Sequence, residues 1–174
     1  MQLASLQDSV AIVAGAGRGI GETIAAHLAA ARATVAVVDI EPERAEAVAS
    51  SIGRAGGQAI AITADLMKAA DVERAVQEVA SQVGHVDILV NNAGGMSAYG
   101  ARKRLESWSE EEWDNILDRN LRYMFLTCRA ALPQLRRSDQ SPAIVNVASI
   151  NALFGSDMSA AYGAGKAGVI SLTR

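Results

Sequence analysis

Tyr162 and Lys166 stand four residues apart near the end of the chain, and Ser149 precedes the tyrosine by thirteen residues. The spacing of four predicts that the phenol and the ammonium stack on one face of a helix. An ammonium beside a phenol favours the phenolate, which lowers the phenol's pKa from its free value of about 10. A phenol tuned in this way can give a proton to a carbonyl oxygen or take one from an alcohol. Ser149 directly follows the apolar run 143–148, which reads as a buried strand, so it stands at that strand's C-terminal end. Open parallel sheets carry their sites at that rim. Tyr-x-x-x-Lys pairs also occur by chance on many solvated helices. The pair acquires meaning only from the rest of the chain.

A second constellation lies near the start. Residues 10–14 form a short apolar run with turn chemistry behind it, a first buried strand. Glycines follow at 15, 17, 19 and 21, and a helix is expected over 19–31 with Ile20, Ile24 and Leu28 on its apolar face. A glycine-rich turn between a strand and a helix is a phosphate cradle: backbone N–H groups and the helix dipole face the anion, and missing Cβ atoms let a pyrophosphate come close. The strict G-x-G-x-x-G pattern does not fit, because its third glycine would fall at Ile20. A merely flexible loop is the bland alternative, and the placement between a buried strand and an amphipathic helix argues against it. Asp39 closes the second apolar run, 34–39. A carboxylate there can accept hydrogen bonds from both ribose hydroxyls and would repel a 2′-phosphate, which favours NAD over NADP. Arg18 pulls the other way, since it could meet that phosphate. A helix cap is the structural reading of Asp39.

The elements that must position these groups alternate regularly. Pro42 suits the first turn of a helix running to about residue 52, before Gly53, Gly56 and Gly57. A third strand is read over 58–63 and ends at Asp65. A helix over 70–83 carries Val72, Val76 and Val79 on one face, and a fourth strand covers 86–90. A polar loop runs from Gly95 to Glu106. Ser109 followed by Glu112 predicts a capping box for one long helix reaching about residue 135. The fifth strand, 143–148, precedes the helix of Tyr162 and Lys166. Throughout-apolar strands alternating with helices define an α/β fold with a parallel sheet covered on both faces, and right-handed crossovers make it doubly wound. One domain over 1–174 is expected.

The net charge of −3 gives no electrostatic case for nucleic acid or an anionic membrane. The apolar runs are too short to span a bilayer, and no signal peptide is seen. The single cysteine, Cys128, cannot form an internal disulfide and reads as a small core residue, which favours the cytoplasm. His27 and His85 are far apart, so no metal is expected. Arg102, Lys103 and Arg104 form the only basic cluster, read as a solvated loop that could alternatively suit an anionic substrate.

Together these residues resemble the short-chain dehydrogenase/reductase family. Residues 14–21, Ala-Gly-Ala-Gly-Arg-Gly-Ile-Gly, are similar to its Thr-Gly-x-x-x-Gly-x-Gly turn from the first glycine onward, with Ala14 in place of the threonine. Asn91-Asn92-Ala93-Gly94 matches the motif that lies along the cofactor after strand four. Asp65-Leu66 matches the adenine-contacting position after strand three. Asn120 matches the catalytic asparagine, and Ser149, Tyr162 and Lys166 match the other members of a tetrad. The resemblance covers the whole chain and implies a Rossmann fold.

It also implies a hydride passing between the nicotinamide and the carbon bearing a substrate hydroxyl or oxo group. Tyr162 would be the general acid/base, Lys166 would lower its pKa and hold the nicotinamide ribose, and Ser149 would bond the substrate oxygen. Asn120 would hold a water linking Lys166 to solvent. Gly15, Arg18, Gly19, Ile20, Gly21 and Asp39 would meet NAD, as would Asp65, Leu66, Asn91, Ala93 and Gly94. The bland readings are Ser149 as a turn residue, Asn120 as a structural helix polar group and Lys166 as a solvated side chain. Family members are longer, with two more strands and a helix-bearing loop over the substrate, so the fifth strand is expected to be an unprotected edge of a truncated chain, or one covered by a partner. They pair through the helices of Asn120 and Tyr162, which implies a homodimer or homotetramer acting on a small alcohol or ketone. An NADP-preferring carbonyl reductase of the 3-oxoacyl type and a non-catalytic dinucleotide-binding fragment are the competing expectations.

Overall fold

The structure, a computed structural model, describes residues 5–96, 103–155 and 157–174. In chain order the elements are β1 (Val10–Ala14), α1 (Gly19–Ala30), β2 (Thr34–Asp39), α2 (Pro42–Arg54), β3 (Gln58–Thr63), α3 (Ala69–Val83) and β4 (Ile88–Asn91). They continue with α4 (Glu110–Leu117), α5 (Tyr123–Leu135), β5 (Ala143–Asn146) and α6 (Ala160–Thr173). The five strands form one parallel sheet in the order β3-β2-β1-β4-β5. The chain reverses its direction of travel across the sheet at β1, so a crevice opens between the C-terminal ends of β1 and β4.

Alternate residues of the inner strands feed opposite faces, as the two-residue period of a strand demands. Ile12, Val38 and Ile62 pack with Val76 and Val79 of α3 and Leu135 of α5. Val13, Val35 and Val37 pack with Ala25 of α1 and Val48 and Ile52 of α2. This two-sided burial is why β1 and β2 read as unbroken apolar runs. A smaller cluster of Ala14, Tyr123, Met124 and Val169 brings α5 and α6 under the crevice.

Four expectations are corrected. The helix expected from Ser109 to residue 135 is not one helix: the capping box forms, with Ser109 Oγ accepting from Glu112 N and Glu112 Oε2 accepting from Ser109 N. A π turn over Asp118–Arg122 then separates α4 from α5. Ile20 does not join the apolar face of α1, where Gly21, Ala25 and Ala29 are the buried residues; it is 69% exposed. The fourth strand begins at Ile88, and just before it the Asp87 carboxylate accepts from the backbone N–H of Val10 at 2.7 Å and ties the strand's start to β1. The fifth strand, expected to be buried over 143–148, stops at Asn146 and is not buried: among the described residues it is the sheet's edge, so one side is unpaired and Val145 is half-exposed.

Arg32 and Asp8 are the non-glycine residues with left-handed backbone among the described residues, at φ 79 and 66. Arg32 closes α1: its N–H donates to Ala29 O at 2.9 Å, and Ala33 N donates to Leu28 O at 3.1 Å, the bond pair of a Schellman motif. Glycine is the residue that this position favours. Arg32→Gly is expected to raise stability by about 1 kcal/mol, read as a higher urea midpoint with an unchanged m-value.

Candidate active site

The glycine turn is shaped by what lies against it. Gly15 has φ 76, and a Cβ there would come 2.6 Å from Ala93 Cα, so β1 and the segment after β4 meet backbone to backbone. A Cβ at Gly21 would stand 2.0 Å from Gly15 O and 2.6 Å from Asn92 Nδ2, which makes that glycine a condition of the turn closing. Gly19, at φ 60, faces open space. Arg18, at the N-cap of α1, is exposed and offers no side-chain cap. The first N–H groups of α1 therefore keep their donor capacity toward the crevice, at the positive end of the helix dipole.

Asp39, only 8% exposed, ends β2 beside this turn. Its Oδ2 accepts from Gly17 N at 3.0 Å and its Oδ1 from Glu41 N at 3.1 Å. Glu41 is the N-cap of α2, so Asp39 shapes the entry to that helix without itself being the cap residue. Asp65 is engaged in its own turn: Oδ1 accepts from Met67 N at 3.1 Å, and Lys68 Nζ lies 3.3 Å from Oδ2. Leu66 packs into two of the apolar clusters.

The segment 91–94 is fastened to β1. Asn92 and Ala93 both donate backbone N–H groups to Ala14 O, at 3.1 and 2.9 Å, and Asn92 Nδ2 donates to Gly15 O at 3.0 Å. Asn91 is fully buried; it donates to Asn146 Oδ1 at 2.8 Å and accepts from Thr127 Oγ1 at 2.7 Å. The buried phenol of Tyr123 donates to Ala93 O at 2.7 Å, and burial pushes its pKa well above the ordinary 10.

Asn120 sits in the π turn, fully buried. Its Oδ1 accepts from Gly95 N at 2.9 Å, and its Nδ2 donates to Gly95 O at 3.1 Å and to Ile116 O at 2.9 Å. A Cβ at Gly94, whose φ is 126, would reach 2.6 Å from Asn120 Oδ1. π turns of this kind recur at functional sites. On its other side Asn120 touches α6: a Cβ at Gly165 would stand 3.5 Å from Asn120 Cβ. The asparagine thus joins the segment after β4 to the helix of Tyr162 and Lys166.

Ser149 lies three residues beyond β5, where its Oγ accepts from Asn151 N at 3.3 Å and caps a single 3₁₀ turn, Ile150–Ala152. Asn151 Nδ2 donates to Ser159 Oγ at 2.9 Å, drawing that turn onto the start of α6. On α6, Tyr162 is half-buried and Lys166 is 3% exposed. Lys166 Nζ donates to Val147 O at 2.7 Å and lies 5.9 Å from the centroid of the Tyr162 ring. Burial lowers the Lys166 pKa below its ordinary 10.5. Among the described residues its ammonium has no carboxylate partner. The reading of Lys166 as a solvated side chain is overturned by this burial.

The basic cluster is corrected as well. Arg102 lies outside the described residues. Lys103 is no solvated loop cation: Nζ pairs with Glu112 of the capping box and sits 5.7 Å above the Trp108 ring. Arg104 pairs with Glu106 on the exposed surface. Cys128 is half-buried against the core, where burial raises its thiol pKa. The residues that sequence reasoning passed over are Gly17, Tyr123 and Val147. Only the surplus glycine in the turn carried a signal; the other two act through an OH and a carbonyl whose direction depends on packing.

A parallel, doubly wound sheet with a glycine turn at its switch point and a buried Tyr-Lys helix at the neighbouring rim defines a dinucleotide-binding α/β protein. The family described as short chain dehydrogenase matches residues 9–174, and the chain belongs to that family. It is 41% identical over 165 residues to a 3-oxoacyl-[acyl-carrier-protein] reductase of Staphylococcus epidermidis, covering 94% of this chain and 66% of that protein. It is 38% identical over 169 residues to a D-threitol dehydrogenase of Mycolicibacterium smegmatis, covering 97% and 63%. Among solved structures, a 7α-hydroxysteroid dehydrogenase complexed with NADH and 7-oxo glycochenodeoxycholic acid superposes with a TM-score of 0.89 at 30% identity, over 97% of this chain and 64% of that one. The chain thus spans about two thirds of the length of its curated relatives, 66% in the first case.

Two outcomes test the site's construction. Asn120→Ala strands three backbone groups, and unfolding in urea should show a loss of about 2–4 kcal/mol. Lys166 binds its proton more weakly folded than unfolded, so its contribution makes stability rise with pH between its lowered pKa and 10.5. Lys166→Met should flatten that rise when midpoints are compared across the alkaline range.

Proposed function

We propose that the chain is a single dinucleotide-binding domain carrying the catalytic groups of an oxidoreductase, which moves a hydride between NAD(H) and the carbinol or carbonyl carbon of an alcohol or ketone. One observation supports this most: a lysine buried to 3% exposure without a carboxylate partner among the described residues, one helical turn from a half-buried tyrosine and bonded to the carbonyl of Val147 just past β5. Burying an ammonium costs free energy, and a Tyr-Lys proton-transfer pair gives that cost a use. The nicotinamide supplies or accepts the hydride when bound. In this reading the Tyr162 hydroxyl gives its proton to the carbonyl oxygen or receives it from the alcohol. Lys166 places its ammonium one helical turn from the phenol and reaches the cofactor's ribose. Ser149 Oγ donates to the substrate oxygen, and Asn120, which also joins the strand-end segment to α6, holds a water linking Lys166 to solvent. The turn residues Gly15, Arg18, Gly19, Ile20 and Gly21 take the pyrophosphate side, Asp39 the adenine ribose, Asp65 and Leu66 the adenine, and Asn91, Ala93 and Gly94 flank the crevice.

Asp39 supports NAD, as does likeness to a dehydrogenase solved with NADH. The second reading is an NADP-preferring 3-oxoacyl-type reductase, which the 41% identity and the exposed Arg18 favour. Phe125 and Leu132, exposed on α5, fit pairing of two copies through α4, α5 and α6 into a homodimer or homotetramer. No described helix is long and apolar enough to cross a membrane. The free Cys128 suits a reducing cytoplasm.

Tyr162→Phe keeps the ring and removes the proton. Turnover in a screen of alcohols and ketones should fall by about 10²–10⁴-fold, while NADH binding stays within about twofold by titration. A variant that turns over at the wild-type rate would remove Tyr162 from the chemistry.

A further inference from the structure

Gly17 is the one glycine of the turn that the family spacing does not require, and it is where the turn touches Asp39. Its N–H donates to Asp39 Oδ2 at 3.0 Å while Glu41 N holds Oδ1. With one backbone donor on each oxygen, the carboxylate is fixed at both ends. The reason for glycine is space, not backbone strain: a Cβ at position 17 would lie 2.6 Å from both Cγ and Oδ2 of Asp39 and 2.7 Å from Arg44 Cβ. Asp39 could rotate to relieve the first contact. The second involves a Cβ rigidly attached to α2, so the turn and α2 would have to separate as well.

We propose that Gly17 is a positioning residue for nucleotide selection, and that it acts through Asp39. This rests on the reading of the turn as an NAD site. The carboxylate, held by Gly17 and Glu41, cannot swing aside for a 2′-phosphate, yet each oxygen retains a lone pair for a ribose hydroxyl. Two arginines border this clasp. Arg18 is exposed next to Gly17 in the turn, and Arg44 is exposed on α2. A side chain at position 17 therefore does more than crowd the turn: it dislodges the acid that rejects a phosphate and leaves two cations that attract one.

The test is binding, which does not depend on turnover. NADH and NADPH are titrated against the full-length protein, its Gly17→Ala and Asp39→Ala variants and the double variant. The wild type is expected to prefer NADH by at least tenfold. Gly17→Ala should lower that ratio at least tenfold, Asp39→Ala should do the same, and the double variant should add nothing beyond Asp39→Ala. A ratio unchanged in Gly17→Ala, or equal loss of both nucleotides, overturns the inference and leaves the NAD reading standing. A wild type that prefers NADPH overturns both. Should Gly17→Ala not fold, Asp39→Ala carries the test: hydrogen exchange at the Gly17 amide must accelerate at least tenfold as the preference is lost. Loss of preference with unchanged exchange refutes the Gly17–Asp39 bond as the holder.

Discussion

The crevice exists because the backbone of β1 and the backbone after β4 touch where their strands end. Gly15 meets Ala93 with no room for a side chain, Ala14 O receives two N–H groups from the segment 92–93, and Asn92 closes onto Gly15 O. The first turn of α1 can pass there only because Gly21 has no Cβ to strike Gly15 O. The proposed site is arranged around that contact. It aims the N-terminal donors of α1 at the gap, sets Asp39 on one side, and leaves β5 and α6 to bring Ser149, Tyr162 and Lys166 up on the other.

The rim is stiffened by polar groups that are buried and satisfied within the chain. Asn91 is bonded to Asn146 on the neighbouring strand and to Thr127 on α5; Asn146 continues to Thr173 at the end of α6 at 3.1 Å. Asn91 and Asn146 are register partners, so the same pair that fills a polar need also locks β4 against β5. Tyr123 ties α5 to Ala93, and Asn120 ties the π turn to Gly95. Buried networks of this kind rigidify when every member is satisfied and cost heavily when one is lost. A site that must hold a proton donor at a fixed distance gains from such a frame.

The outer border has a different character. β5 is paired on one side only, and Val145 with Leu153 and Phe154 beyond it are half or more exposed. Val147, just past this strand, supplies the carbonyl that holds Lys166. The lysine's position thus depends on backbone that is kept in place by the Asn91–Asn146 bond and the packing of α6.

The alternation of apolar runs with helical patterns determined the order of elements and the parallel, doubly wound sheet, because two-sided burial leaves a continuous apolar strand as its trace in sequence. The capping box of α4 was readable from Ser109 and Glu112 alone, since both partners lie within one helical turn. The four-residue spacing likewise placed Tyr162 and Lys166 on one helix. Local pattern did not reveal the π turn at Asn120, the exposure of Ile20, the pairing of Lys103 or the clasp between Gly17 and Asp39. Helical periodicity cannot register an extra residue whose side chain bonds a loop twenty-five positions away. It also cannot show that one glycine is needed because a distant carboxylate and the Cβ of another helix already occupy the space. Those features were decided only when the sheet brought remote segments within a few ångströms, where close packing and the pairing of buried polar groups leave few arrangements open.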